Sequence, residues 1–424
     1  MEGSSRRTER SGSKRPGPPE APPLSRRKCL ALLGGGALGL MLEGASGGRH
    51  QNPLYVGFGC AARPDGGGRE PLPSPRAVAP LPHPGRDSRI DLHVHLAGVG
   101  AGGTGCFVSQ KFRESWFFSI DMWAAGVPRD QVDTRGDQIY VEKLLGLLRS
   151  SPWVGRAVVL ALDGIYDARG DLDREATDFY VPNSYVLGLA RSHPEFLAGA
   201  SVNPSRRDAL EELDRVAEGG AVLIKWLPNS QRIDPAHPRH LPFYRRMAHY
   251  RLPLLCHTGE EYALGAGDQT LGDPRRLRPA LEEGVTVIAA HCASLGGANG
   301  RPYLEEFISL TRVYPHLYGD ISALTQFNRR RALPRLLADA DLSERLVHGS
   351  DYPLPFFPLS SPFYFTGSIS LGEMWRIQCI GNLLDRDFET KRALGVPDSV
   401  FLQAQRLLAP RLSEKRDPPA GISD

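Results

Sequence analysis

The chain has 424 residues, 41% of them hydrophobic and 23% charged, which is ample for one large domain or two ordinary ones and fits a globular protein. A formal net charge of +3, with Lys and Arg scattered rather than striped, argues against a nucleic-acid partner. Six cysteines (Cys29, Cys60, Cys106, Cys256, Cys292, Cys379) are widely spread, with no CxxC pair and no disulfide-framework spacing.

Residues 1–24, rich in Arg, Ser, Gly and Pro, cannot build a core. "SRRKCLALLGGGALGLMLEGASGG" (25–48) follows, in which paired arginines precede a glycine-diluted apolar run too short for a stable spanning helix. It resembles a twin-arginine export signal through Ser25 to Leu30, which implies an exported, periplasmic or extracellular protein, or a cytoplasmic one if the arginine pair is incidental. Residues 49–86 read as a Pro/Gly-rich linker, 87–412 as the folded domain and 413–424 as a tail.

From there apolar strand-like runs recur: "IDLHVHL" (90–96), "AVVLALDG" (157–164), "FLAGASVNP" (196–204), "AVLIKWLP" (221–228), "LPLLCHTGE" (252–260), "VTVIAAHCAS" (285–294), "HLYGDISA" (316–323) and "RLVHGSDYP" (345–353). Helix-length segments separate them, such as "RRDALEELDRVAEGG", where Leu210, Leu213, Val216 and Ala217 share a side and a Gly pair stops the run. Near-continuous apolar strands alternating with amphipathic helices predict a parallel sheet buried on both faces. Eight such units predict an α/β fold of the (β/α)8 TIM-barrel type, with a long insertion after strand 1. A dinucleotide fold is disfavoured, because the glycines of "HLAGVGAGGTG" do not lead directly into a helix. The insertion's aromatic residues and Met (Phe107, Phe112, Trp116, Phe117, Phe118, Met122, Trp123) either cover the barrel mouth or complete the outer core.

Alternation along the first strand puts His93 and His95 on one face and Leu92, Val94 and Leu96 on the other. Lys225 on strand 4, His257 on strand 5, His291 on strand 6 and Asp351 on strand 8 likewise interrupt apolar runs near the strand ends. In a parallel barrel those ends open on one face, where buried polar groups without partners would be costly. Imidazoles with a carboxylate suit Zn²⁺ or a similar divalent ion.

This ordered set, with the phrases "IKWLPNSQRIDPAHPRHLPFYRRMAHYRLPLLCHTGEE" and "GSDYP", resembles the amidohydrolase superfamily of metal-dependent hydrolases, and its amidohydrolase-2 branch in particular. The resemblance implies His93, His95 and Asp351 as ligands of one metal. His257 and His291 would then hold a second ion, or His257 would join the first and His291 would act as a catalytic base. Lys225 matches the position of a carboxylated lysine (N6-carboxylysine) that bridges two ions; otherwise it stays an ammonium paired with Asp351 or Glu260, or holds a substrate carboxylate. The activity implied is hydrolysis of an ester, lactone, amide or related bond in a small molecule by metal-activated hydroxide, with Asp351 and His291 as catalytic groups. The alternatives are a single-metal decarboxylase or lactonase of the same branch, and a non-catalytic exported binding protein.

Glu260 and Glu261 after strand 5, and Asp320 and Ser322 on strand 7, are weaker candidates for substrate contact. His348 falls on the face opposite Asp351, toward the helices. Arg329, Arg330 and Arg331 read as a solvated helix start rather than an anion site, and His193, His237, His240, His249 and His316 as surface residues.

Overall fold

The computed structural model describes residues 85–414. The export signal and nearly all of the linker lie outside the described residues, as does most of the tail. Eight parallel strands follow one another: β1 (Ile90–His95), β2 (Arg156–Leu160), β3 (Phe196–Ala200), β4 (Ala221–Trp226), β5 (Leu254–His257), β6 (Val287–Ala290), β7 (Leu317–Asp320) and β8 (Leu346–Val347). Each pairs with the next in chain order. The sheet then closes on itself, because Leu92 N donates to His348 O at 3.1 Å, Asp351 N to His93 O at 2.9 Å and His95 N to Tyr352 O at 3.0 Å. The result is the (β/α)8 barrel that the alternating runs predict, and closure pairs the two edge strands of the eight-stranded sheet with each other.

β1 departs from regular alternation. Its register against β2 shifts between Asp91 and Val94, so one extra residue sits in the first strand. The Asp91 carboxylate takes up the freed backbone donors, accepting from His93 N at 3.2 Å and from Ser350 N at 2.8 Å. The bulge changes which way Leu92 faces. Ile90 and Leu92 join the apolar cluster inside the barrel, with Leu160, Leu197, Leu223, Leu255, Ile288 and Val347. Val94 and Leu96 join the cluster between strands and helices. His93 and His95 share a face as expected, but Leu92 is not on the same outward face as Val94.

The insertion after β1 carries α1 (Trp116–Ala124) and α2 (Val132–Ser150). Tyr140 of α2 donates to His95 O at 2.6 Å, which ties the helix to the strand that bears both histidines. Phe107 and Val108 pair antiparallel with Tyr180 and Phe179, beyond β2, and the Trp123 ring meets Phe356, beyond β8, at 5.6 Å. The insertion therefore reaches the loops of the C-terminal face, while Phe112, Phe118 and Met122 are buried in the outer core.

α3 (Ala209–Glu218) buries Leu213, Val216 and Ala217, and Gly220 ends the run at φ 92°, a left-handed conformation open to glycine at little cost. α4 (Leu383–Ala393) and α5 (Asp398–Glu414) follow the last strand, and Ala404 and Leu408 of α5 pack with the interior cluster. His240, expected at the surface, is buried beside Trp226 and Tyr244, because the short turn before its helix folds back onto β4. Among the described residues no helix is long and apolar enough to cross a membrane.

Candidate metal centre

Four strand ends and the turn after β8 deliver the polar residues to one point. His93 Nε2 lies 3.1 Å from His95 Nε2, 3.0 Å from Lys225 Nζ and 3.5 Å from Asp351 Oδ1, and His95 Nε2 lies 3.2 Å from the same carboxylate oxygen. His93, His291 and Asp351 each offer a ligand atom, all within 4.8 Å of one another. The His291 ring stacks on His93 at 5.2 Å and stands edge-on to His257 at 5.1 Å.

The hydrogen bonds behind these rings decide where their lone pairs point. His93 Nδ1 sits 2.7 Å from Asp320 Oδ2, so this nitrogen carries the proton and Nε2 presents its lone pair to the centre. Ser322 Oγ, 2.8 Å from His291 Nδ1, donates to Asp320 Oδ1, and Nδ1 is also 3.2 Å from Ser322 O. Nδ1 of His291 is therefore a donor as well, which frees its Nε2. Among the described residues, His257 Nε2 is buried with no hydrogen-bond partner. An orphaned buried imidazole nitrogen is costly as it stands and, together with the Nε2 lone pairs of His93 and His291, suits a cation.

Electrostatics agree. Burial, then the nearby Lys225, pushes His93 down to about 4; burial, then Arg329, pushes His291 down to about 3; burial holds His257 well below its usual range. These three rings are neutral at physiological pH, the form that binds metal. Burial alone would raise the Asp351 carboxyl, but His291, His95 and His93 hold it well below the usual range, so it is ionised. Burial also lowers the Lys225 ammonium, moving it toward the neutral amine. The donor set of neutral imidazoles, one carboxylate and an amine with a depressed pKa fits a divalent ion.

Backbone strain marks two of these positions. His291 has φ 57° and starts a run of three left-handed non-glycine residues, and Asp351 has φ 67°. Such conformations cost of order 1–3 kcal/mol each and persist where the surroundings over-determine them. At His291 the turn aims the backbone N–H at Asp320 Oδ1, 3.0 Å away.

Asp320 and Ser322, read from sequence as candidates for substrate contact, are fully buried behind His93 and His291. Glu260 is half-buried and accepts from Tyr262 OH, away from the rings. Its neighbour Glu261 turns inward, with Oε2 3.6 Å from His257 Nδ1. Asp163 and Asn203, at the ends of β2 and β3, bind one another's loops through Asn203 N to Asp163 Oδ2 at 2.7 Å. His348 packs between Phe388 and Phe401, on the helix side. Arg329, read as solvated, is buried instead and donates to Ser294 Oγ at 2.7 Å. The sequence signal was only the arginine triplet, and nothing local distinguishes its first member.

The family described as "Amidohydrolase" matches the chain over residues 90–362. No curated protein sequence matches it. An uncharacterized TIM-barrel protein from Bordetella bronchiseptica has a similar fold, with 15% identity, 76% of this chain and 99% of that chain covered, and a TM-score of 0.50. A protein named as a 2-pyrone-4,6-dicarboxylic acid hydrolase from Pseudomonas putida aligns at 17% identity over 76% of this chain and 97% of its own, with a TM-score of 0.43. The 5-carboxyvanillate decarboxylase of Sphingomonas paucimobilis aligns at 12% identity over 76% and 98%, with a TM-score of 0.44.

Proposed function

The chain belongs to the amidohydrolase family, and from that premise we propose that it is a metal-dependent hydrolase acting on an ester, lactone, amide or related bond of a small molecule. The observation that carries this reading is the buried group of His93, His291 and Asp351, whose ligand atoms lie within 4.8 Å of one another, with His95 against the same carboxylate and the His257 ring against His291. In this reading His93, His95 and Asp351 hold one divalent ion, Zn²⁺ by the softness of the donors, and His257 and His291 complete its shell or hold a second. Lys225, as an N6-carboxylysine, would add carboxylate oxygens to the residues that hold the ions; its depressed pKa supports this, since only a neutral amine adds CO₂. Such an ion, when bound, lowers the pKa of water toward ~7 and polarises the scissile carbonyl.

The chain's own groups do the rest. Asp351, held ionised, accepts the proton of the attacking water and returns it to the leaving group. His291, whose Nδ1 is fixed by Ser322, keeps its Nε2 lone pair free to hold the ion or to take up a proton as a catalytic base. Asp320 holds His93 in the tautomer that keeps Nε2 free.

A single-metal decarboxylase or lactonase is the second reading. The compactness of the His93–His291–Asp351 triad, and the Lys225 amine lying against His93 Nε2, favour it where only one ion binds. Metal analysis separates the two: close to two equivalents of zinc per chain support the hydrolase, and one supports the decarboxylase. The decisive assay is turnover of a panel of lactones, esters, amides, phosphotriesters and aromatic carboxylates. Asp351→Asn is expected to lower kcat by a factor of ~10³ or more with metal still bound. No turnover by the wild type on any member would defeat both readings. Export by the twin-arginine route is part of the proposal, and changing Arg26 and Arg27 to Lys is expected to leave the tagged full chain in the cytoplasmic fraction.

A further inference from the structure

The three consecutive arginines after β7 meet three different environments. Arg331 is exposed, and Arg330 lies 4.2 Å from the Phe327 ring and donates to Phe327 O at 2.6 Å. Arg329 is only 7% exposed. Its N–H bonds to Gln326 O at 3.0 Å and its carbonyl accepts from Ala332 N at 2.9 Å, so the turn that directs its side chain inward is fixed. Nη1 donates to the hydroxyl of Ser294 at 2.7 Å, and Ser294 N donates to His291 O at 3.0 Å. The guanidinium is thus tied to the loop that carries a metal-ligand candidate.

That single bond leaves the cation under-paired. Among the described residues, Arg329 Nε is buried with no hydrogen-bond partner and the guanidinium contacts no carboxylate. The carboxylates that its charge feels most, Asp351 and Glu261, are engaged elsewhere. Asp351 Oδ1 is on His95 Nε2 at 3.2 Å, and Glu261 Oε1 accepts from Ala263 N at 2.5 Å and Leu264 N at 3.2 Å. The bond to Ser294, whose own N–H is on His291 O, places this positive charge on the loop beside the centre. A guanidinium withdrawn from water is costly unless its N–H fork meets an anion, and that fork matches a carboxylate.

We propose that Arg329 anchors a carboxylate of the substrate, held beside the metal ligands on the side of β6 and β7. The proposal rests on the hydrolase reading and narrows its substrate to small anionic molecules. It makes Arg329 a specificity-determining residue rather than a surface charge, and gives its unpaired Nε a partner.

The test is calorimetric titration of the full chain with benzoate and with its neutral isostere benzamide, both after chelator treatment and after zinc loading. Wild type is expected to bind benzoate more tightly than benzamide in both metal states. Arg329→Gln is expected to weaken benzoate binding roughly tenfold or more, the value of a charge-assisted pair, and to leave benzamide binding unchanged. Arg329→Lys, which keeps the charge without the fork, is expected to fall between them and serves if the Gln variant does not fold by circular dichroism. Equal binding of benzoate and benzamide by chelator-treated wild type, or benzoate binding that survives in Arg329→Gln, overturns the anchor. Failure of the hydrolase reading looks different: no zinc would bind, while benzoate would still depend on Arg329.

Discussion

Asp320 accepts from the His93 ring, the His291 backbone and the Ser322 hydroxyl at once. Burial would push this carboxyl up, yet the His93 and His291 partners hold it well below the usual range, so the charge that orients the rings is permanent. Asp320→Asn is therefore expected to weaken metal binding by ~10–100-fold, the usual loss on removing an orienting partner, measured by competition with a chromophoric chelator. Unchanged affinity would remove Asp320 from any role at the centre. The same residue shows why the sequence misplaced it. Period-two counting finds that it faces inward, but not that another strand's imidazole stands between it and the mouth.

At the scale of elements, the turn after β8 is the part on which the centre leans. A Cβ at Gly349 would lie 2.7 Å from His93 Cβ, so the closing strand passes β1 with no room for a methyl group. Gly349→Ala is expected to cost about 1–3 kcal/mol by overpacking and to lower metal affinity as well, because the atom displaced belongs to His93. A urea midpoint and metal titration like those of the wild type would show that β1 can shift freely. Behind this turn, Lys391 of α4 donates to Gly349 O at 2.7 Å and to Asp387 Oδ2 at 2.5 Å, in a pair with neither side chain exposed. Breaking such a pair strands a buried charge. Lys391→Met is expected to destabilise the chain by about 3–5 kcal/mol in urea unfolding, and adding Asp387→Leu to recover most of it. A double variant no better than the single would show that the pair's role is the bond to Gly349 and not mutual neutralisation.

Across the whole molecule, the helices that flank the first and last strands are joined through a polar contact. Ser151, at the end of α2, donates through Oγ to Asp385 of α4. Burial pushes the Asp385 carboxyl from 3.8 up to about 6. The folded chain thus keeps a proton that the unfolded chain has shed, so this contribution to stability is full below about 3.8 and is lost as pH rises through about 6. Asp385→Asn, which cannot ionise, is expected to gain Tm relative to wild type as pH rises from about 4 to about 7, and to show no such gain at lower pH. A Tm difference independent of pH would contradict the raised carboxyl.

What the sequence determined by itself was periodic or ordered. Eight apolar runs separated by amphipathic stretches dictate a closed parallel sheet, because a strand buried on both faces must be apolar along its length. The shared face of His93 and His95, and the placing of Lys225, His257, His291 and Asp351 near strand ends, follow from the same counting. Only the tertiary structure decided which groups stand in front and which behind. The bulge at Asp91–Val94 turned Leu92 inward, the turn after β7 buried Arg329 while Arg331 stayed in water, and the turn before His240 folded that ring onto Trp226. Each depends on chain that is remote in sequence, as with Ser350 for the bulge and Ser294 for Arg329. A side chain's surroundings in a barrel come from neighbouring strands and their loops, and local periodicity carries no record of them.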